Sequence, residues 1–227
     1  MARTIMGTRE LRGYEEAPGN GPTKISSQRP GGASIDLYWL PLGAGGWFVR
    51  LNGRIYEAVQ ALVQRRRTLH LYHSALEVRV AEGRFVIENA WPIPDADGRS
   101  RGVVLEGPVW SRRLGRSRVL RYEVRRWQDG AIPDVEWAVD SPRRLSEDPQ
   151  VAGRLLDLVG SLPRLVWGRD ELGTGEMWNS NSVISWLIAR SGLRAEAIKP
   201  PPGGRAPGWN AGLVVARRDP SARHTAA

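Results

Sequence analysis

The sequence predicts an α+β domain in which an antiparallel sheet packs against helices. Two β-rich segments, 69–80 and 83–89, are joined by a short turn and together indicate a β-hairpin. Apolar residues at helical spacing over 146–161, and again after residue 182, indicate two amphipathic helices. Both kinds of element therefore contribute to one core.

A single folded domain is expected over residues 33–216. Residues 1–32 are rich in Gly, Pro, Ser and charges without sustained periodicity, and 217–227 are small and polar, so both ends are expected to be flexible. Nothing near the middle resembles a flexible linker. A chain of 227 residues is long enough for one large domain with a real core.

The remaining strands are predicted from short apolar or alternating segments. Residues 34–42 are apolar and aromatic and stop at a glycine-rich turn, Gly43-Ala44-Gly45-Gly46, which is typical of a buried strand. Three further segments are predicted as strands: 103–109, 118–127 and 212–216.

Three helices are predicted from their capping residues. The first follows Asn52, the second begins at Ser146 as its N-cap, and the third follows Asn179-Ser180-Asn181-Ser182 and ends at Gly192. Arg65-Arg66-Arg67 lies where the dipole at the C-terminus of the first helix favours cations.

A nucleic-acid partner is not expected despite a formal charge of +9 and a pI near 10.8. The arginines are scattered along the chain and interleaved with acids, and no helix-turn-helix, zinc-finger or RNP motif is present. A general arginine bias explains this composition more simply than a phosphate-binding surface does, although association through the arginines remains an alternative.

Several classes of site are not expected from the composition. The chain has no cysteine, which excludes disulfides, thiolate metal sites and cysteine nucleophiles. No run of about 18 apolar residues predicts a transmembrane segment, and the charged N-terminus does not resemble a signal peptide, so the protein is expected in the cytoplasm. His70 and His73 are an odd number of residues apart on a predicted strand and should point to opposite faces. No metal or cofactor is predicted.

Two features are candidates for chemistry. His73 lies in the middle of a predicted strand, where its ring must be satisfied in the core or point into a cleft. Asn179-Ser180-Asn181-Ser182 is explained by helix capping, because Asn and Ser are preferred N-cap residues. A hydroxyl at a helix N-terminus also lies in a positive field, where backbone N–H groups can receive an oxyanion.

Together these features resemble the circularly permuted NlpC/P60 branch of the papain-like superfamily, which includes the lecithin:retinol acyltransferase-like proteins. His73-Ser74-Ala75-Leu76-Glu77-Val78 is similar to that group's His-x-Ala-apolar-x-Val strand, and Asn179-Ser180 is similar to its Asn-Cys motif. The histidine strand precedes the helix, as in the permuted order. The resemblance covers about 60 residues in two pieces.

The resemblance implies a permuted papain-like fold and a hydrolase or acyltransferase of amide or ester bonds. Ser180 would be the nucleophile and His73 the general base, with Glu88 or Asn89 orienting the imidazole. The substrate would be a small molecule, lipid or peptide. The residues expected to bind it are Trp178, Asn179, Asn181 and Ser182.

The serine at position 180 departs from the family pattern. Active members use cysteine, whose thiolate forms readily beside a histidine, whereas a serine hydroxyl has a far higher pKa. The second hypothesis is therefore a catalytically inactive papain-like binding protein that kept the fold and its cleft.

Overall fold

The described part of the chain is built on an antiparallel sheet of six strands with helices against it. The computed structural model describes residues 32–42, 69–90, 102–117 and 120–218. The strand order across the sheet is β4-β5-β3-β2-β1-β6. The strands, in chain order, are β1 (Ser34–Pro41), β2 (His70–Val80), β3 (Gly83–Ala90), β4 (Val103–Pro108), β5 (Arg121–Gln128) and β6 (Val139–Ser146). A short β7 (Gly204–Arg205) pairs in parallel with the start of β2.

Three α-helices lie within the described part of the chain. They are α1 (Pro149–Leu158), α2 (Ser180–Arg190) and α3 (Trp209–Arg218). The side chain of Asp148 caps α1 by accepting the N–H of Gln150 and Val151. Ser146, predicted as this cap, is instead the last residue of β6, because the chain stays extended through it.

Most predicted elements are present, and the α+β class with an antiparallel sheet is confirmed. The predicted strand over 212–216 is wrong, because these residues form the body of α3. That helix continues through Arg218 and so enters the predicted C-terminal tail. Strand β6 was not predicted.

The described residues all belong to one compact unit. The helix predicted after Asn52 and the turn Gly43-Ala44-Gly45-Gly46 lie outside the described residues. So do nearly all of the two predicted flexible ends.

The two faces of the sheet have different surroundings. Side chains of paired residues lie on the same face, and faces alternate along each strand. One face, called the helix face, carries Leu37, Leu76 and Ile87, which are fully buried in the same cluster as Ile184 and Leu187 of α2. The opposite face, called the far face, carries Leu40, Ala75 and Val86, which pack with Ile132.

Burial on the helix face is the main source of stability. Each fully buried aliphatic side chain contributes about 1.5–3 kcal/mol relative to an exposed one. Helix α2 lies across this face and is buried along almost its whole length. No helix among the described residues is long and apolar enough to cross a membrane.

Candidate functional site

The predicted catalytic serine lies in the first turn of α2, which is closed by a capping box. The side chain of Asn179 accepts the N–H groups of Asn181 at 2.9 Å and Ser182 at 3.3 Å. In return, the Ser182 hydroxyl oxygen accepts the Asn179 N–H at 3.1 Å. Asn179 and Ser182 therefore supply hydrogen-bond acceptors for the free N–H groups at the N-terminus of α2.

A second set of hydrogen bonds ties this turn to β2. The Ser74 hydroxyl donates to Asn181 Oδ1 at 2.8 Å, and Asn181 Nδ2 donates to the carbonyls of Tyr72 and Pro207 at 2.9 Å each. We call Ser74, Asn179, Asn181 and Ser182 the capping cluster. The polar side-chain groups of this cluster form hydrogen bonds within the protein.

The capping cluster also fixes the loop that precedes α3. Asn179 Nδ2 donates to the carbonyl of Pro207 at 2.9 Å, and the Ser182 hydroxyl donates to that of Gly208 at 2.7 Å. Gly208 has φ +85°, and a Cβ there would lie 2.4 Å from Asn179 Oδ1. Only glycine fits this position. Asn179, Asn181 and Ser182, predicted to bind substrate, thus hold two helices and a strand together.

Ser180 differs from its neighbours in the turn. It is only 6% exposed, and its hydroxyl makes no hydrogen bond to the residues that the structure describes. Trp178, predicted to bind substrate, is 2% exposed and belongs to the helix-face core. Its indole is therefore part of the core and not a wall of an open cleft.

The imidazole of His73 lies on the far face. His73 pairs with Leu40 of β1, which packs on the far face. The next residue, Ser74, pairs with Trp39 in the helix-face core and reaches α2 through Asn181. His73 and Ser180 are therefore on opposite sides of the sheet, and the predicted nucleophile–base pair is not formed.

Glu88 and Asn89, which were predicted to orient the His73 imidazole, lie on opposite faces of the sheet. Glu88 lies on the same face as His73, but its carboxylate accepts from Arg125 Nη1 at 3.0 Å. Asn89 lies on the helix face, since its partner Val124 belongs to that core. Its buried amide has no hydrogen-bond partner within the described ranges. Neither residue orients the imidazole as predicted.

Burial lowers the pKa of His73 to about 4. The imidazole is therefore neutral at pH 7 and has lost the proton affinity that a general base needs. The His73 side chain is partly buried on the far face, whose buried residues include Leu40 and Ala75. No group of three or more His, Asp or Glu residues within the described ranges is arranged to hold a metal ion.

The pKa of His73 predicts an acid-sensitive stability. Between pH 6.5 and about 4 the unfolded chain binds a proton at this residue that the folded protein does not. Stability therefore falls as the pH is lowered through this window. We expect a loss of about 3 kcal/mol that disappears in His73→Leu. Urea unfolding of both proteins from pH 7 to pH 4 measures the difference, and parallel curves would contradict the assignment.

An open cleft lies at one edge of the sheet, along edge strand β4. Its volume is about 640 Å³. Arginines from three separate segments line it, and we call it the arginine cleft. Its lining residues are Val103, Val104, Leu105, Glu106, Gly107, Pro108, Arg112, Gly115, Arg121 and Arg164.

The three arginines of this cleft differ in the hydrogen bonds and salt bridges that their side chains form. Arg121 Nε donates to the Gly115 carbonyl at 2.7 Å, and its Nη1 donates to Glu106 at 2.8 Å. Arg112 forms a two-pronged pair with Glu171 at 2.9 and 3.3 Å. Arg164 is exposed and forms no salt bridge with the described residues. Among the described residues that line the cleft, its guanidinium is therefore the one without an ion-pair partner, and it can meet a ligand.

The wall of the cleft is the outer edge of β4. Strand β5 pairs with the inner edge. The outer edge is covered at its end by Trp167, whose N–H donates to the Pro108 carbonyl and whose carbonyl accepts the Trp110 N–H, both at 2.9 Å. The cleft borders the part of β4 that precedes this contact with Trp167. Sequence reasoning missed it, because its arginines are far apart in the chain and resemble the general arginine background.

Comparisons with known proteins do not assign either region. No protein-family model, curated protein or solved structure matches the chain.

Proposed function

We propose that this protein is a non-catalytic binding protein that takes an anionic ligand in the arginine cleft. The observation that carries the proposal is the convergence of Arg112, Arg121 and Arg164 on one open cavity of about 640 Å³. Small-molecule sites commonly have volumes of about 300–1,000 Å³.

The chemistry of the lining favours a carboxylate or phosphate. Guanidinium groups present planar pairs of N–H donors that match the oxygens of these anions. Glu171 pairs with Arg112 and Glu106 pairs with Arg121, so the positive charge of Arg164 leaves the cleft with a net positive field. Val103, Val104 and Pro108 supply an apolar side against which the uncharged part of a ligand would pack.

The arrangement around α2 supports binding over catalysis. His73 lies on the opposite side of the sheet from Ser180, and the polar side chains around Ser180 bond to the scaffold. A permuted papain-like fold remains part of the proposal. It is supported by the contact between the histidine strand β2 and the Asn-Ser turn of α2. The hydrolase or acyltransferase alternative would require His73 to reach the helix face.

Calorimetric titration with pyrophosphate and with citrate at low salt tests the proposal. These probes distinguish a phosphate from a carboxylate preference. We expect saturable binding of at least one of them that weakens about tenfold or more in Arg164→Gln, because a charge-assisted hydrogen bond contributes about 1.5–3 kcal/mol. Ser180→Ala should bind as the wild type does.

The matched control is Arg143→Gln, which removes an exposed arginine on β6 without touching the cleft. Equal weakening by both glutamine variants would mean that the probe responds to net charge alone. That result, or the absence of saturable binding of both anions, would overturn the proposal.

A further inference from the structure

The loop that follows β4 presents bulky apolar side chains to solvent. Trp110 is 61% exposed and Leu114 is 44% exposed, although both side chains are of the kind that normally packs inside. Within the described ranges, the other residues with positive φ that are not glycine are Asp129, Asp134 and Asp140. Aspartate tolerates this conformation, whereas tryptophan at φ 58° is strained.

The strain indicates that the loop is built to display the indole. The backbone of Trp110 is held in place by Trp167, with N–H to carbonyl at 2.9 Å, and by Arg169, whose Nη1 donates to the Trp110 carbonyl at 3.4 Å. Strained residues of this kind are concentrated at functional positions. The side chain itself is left outside the core.

Arginines surround this apolar pair. Arg112, Arg113 and Arg116 lie on the same loop and are exposed, and Arg169 reaches it from the segment before α2. Arg113 and Arg116 form no salt bridge in the part of the chain that the structure describes. Glu171 neutralises Arg112. We call Trp110, Arg113, Leu114 and Arg116 the Trp110 loop.

We propose that the Trp110 loop docks this protein on an anionic lipid bilayer. Tryptophan and leucine partition into the boundary between headgroups and acyl chains, while arginines beside them contact anionic headgroups. A nucleic acid would engage the indole and the arginines but would leave Leu114 in water. A protein partner would need a broader contact surface than one loop.

The proposal does not depend on what fills the arginine cleft. Arg113 and Arg116 do not line that cleft, so variants at these positions leave its walls intact. Loss of anion binding in the cleft and loss of bilayer binding by the loop can therefore be measured separately.

Co-sedimentation with vesicles tests the proposal. Wild-type protein should bind vesicles that contain phosphatidylserine and phosphatidylcholine, and bind much more weakly to vesicles of phosphatidylcholine alone. The double variant Arg113→Gln/Arg116→Gln should bind the anionic vesicles about tenfold or more weakly, since each arginine near such a surface contributes a factor of about five. Its affinity for pyrophosphate should be unchanged.

The control pair Arg143→Gln/Arg194→Gln removes two exposed arginines from elsewhere on the chain. If it loses as much vesicle binding as the loop pair, general attraction by a basic protein explains the result and the proposal is overturned. Tighter binding to a single-stranded oligonucleotide than to anionic vesicles, with the same dependence on Arg113 and Arg116, would overturn it in favour of nucleic acid.

Trp110→Asn separates the apolar contribution from the charge. Asparagine adopts positive φ readily, so the melting temperature should stay the same or rise while vesicle binding falls several-fold. The matched change is Trp137→Asn, at another tryptophan that is 59% exposed, and it should leave vesicle binding intact. Unchanged vesicle binding in Trp110→Asn would contradict insertion of the indole.

Discussion

Arg125→Met is expected to destabilise the protein by about 3–5 kcal/mol, the cost of removing a buried cation from its ion pairs with two carboxylates. Arg125 is 2% exposed and donates to Glu88 at 3.0 Å and to Glu123 at 2.6 Å. These three side chains lie on the far face, where β3 and β5 pair. Urea unfolding at pH 7 measures the loss.

Two comparisons isolate the ion-pair contribution. Arg126→Met changes the exposed neighbour, whose side chain makes one hydrogen bond within the described residues, to the Leu156 carbonyl at 3.2 Å, and should cost less than about 1 kcal/mol. The double variant Arg125→Met/Glu88→Leu should be more stable than Arg125→Met alone, because it removes a buried carboxylate that has lost its ion pair with Arg125. A double variant less stable than Arg125→Met would contradict the account.

Asn181→Leu is expected to destabilise the protein by about 3–4 kcal/mol, because it leaves the buried Ser74 hydroxyl and Tyr72 carbonyl without partners. The residue itself is 2% exposed. The prediction follows from the structural role of the capping cluster, in which Asn181 joins α2 to β2 and to the loop before α3. Thermal and urea unfolding both measure it.

Ser180→Ala is the matched control in the same helical turn. Its hydroxyl makes no hydrogen bond to described residues, so the change should cost less than about 1 kcal/mol. Similar losses in the two variants would mean that the turn does not depend on the Asn181 amide. A larger loss in Ser180→Ala would reveal a partner for the hydroxyl.

The elements that the sequence predicted correctly are those whose pattern is set by their own residues. The hairpin of β2 and β3 alternates clearly and is joined by the short turn 81–82, so local chemistry is sufficient to specify it. Strand β6 carries proline and two adjacent arginines and has no apolar run, because it lies at the edge of the sheet. The formation of β6 therefore depends on its pairing with β1.

The wrong assignment of 212–216 has a physical cause. Gly212-Leu213-Val214-Val215-Ala216 is a short apolar run, and such runs occur both in buried strands and in buried helices. The helix starts three residues earlier, at Trp209, immediately after the loop that the capping cluster holds. Tertiary contacts, which the local pattern does not reveal, decide the conformation.

The candidate site could be predicted only in part, because a sequence does not say which face of a strand meets a helix. Alternation alone indicates that His73 and Ser74 point in opposite directions. The structure turns Ser74 toward α2 and leaves His73 on the far face. The arginine cleft has no local signature at all, since Arg112, Arg121 and Arg164 meet only after the chain has folded.

Mapping the pyrophosphate titration on the amide spectrum of isotope-labelled protein tests the central claim most directly. If the cleft is the binding site, the amide resonances of Leu105, Glu106 and Arg164 should shift with ligand while those of Ser180 and His73 stay in place. Shifts confined to the first turn of α2, with the β4 edge unaffected, would contradict binding in the cleft. They would place the ligand near Ser180.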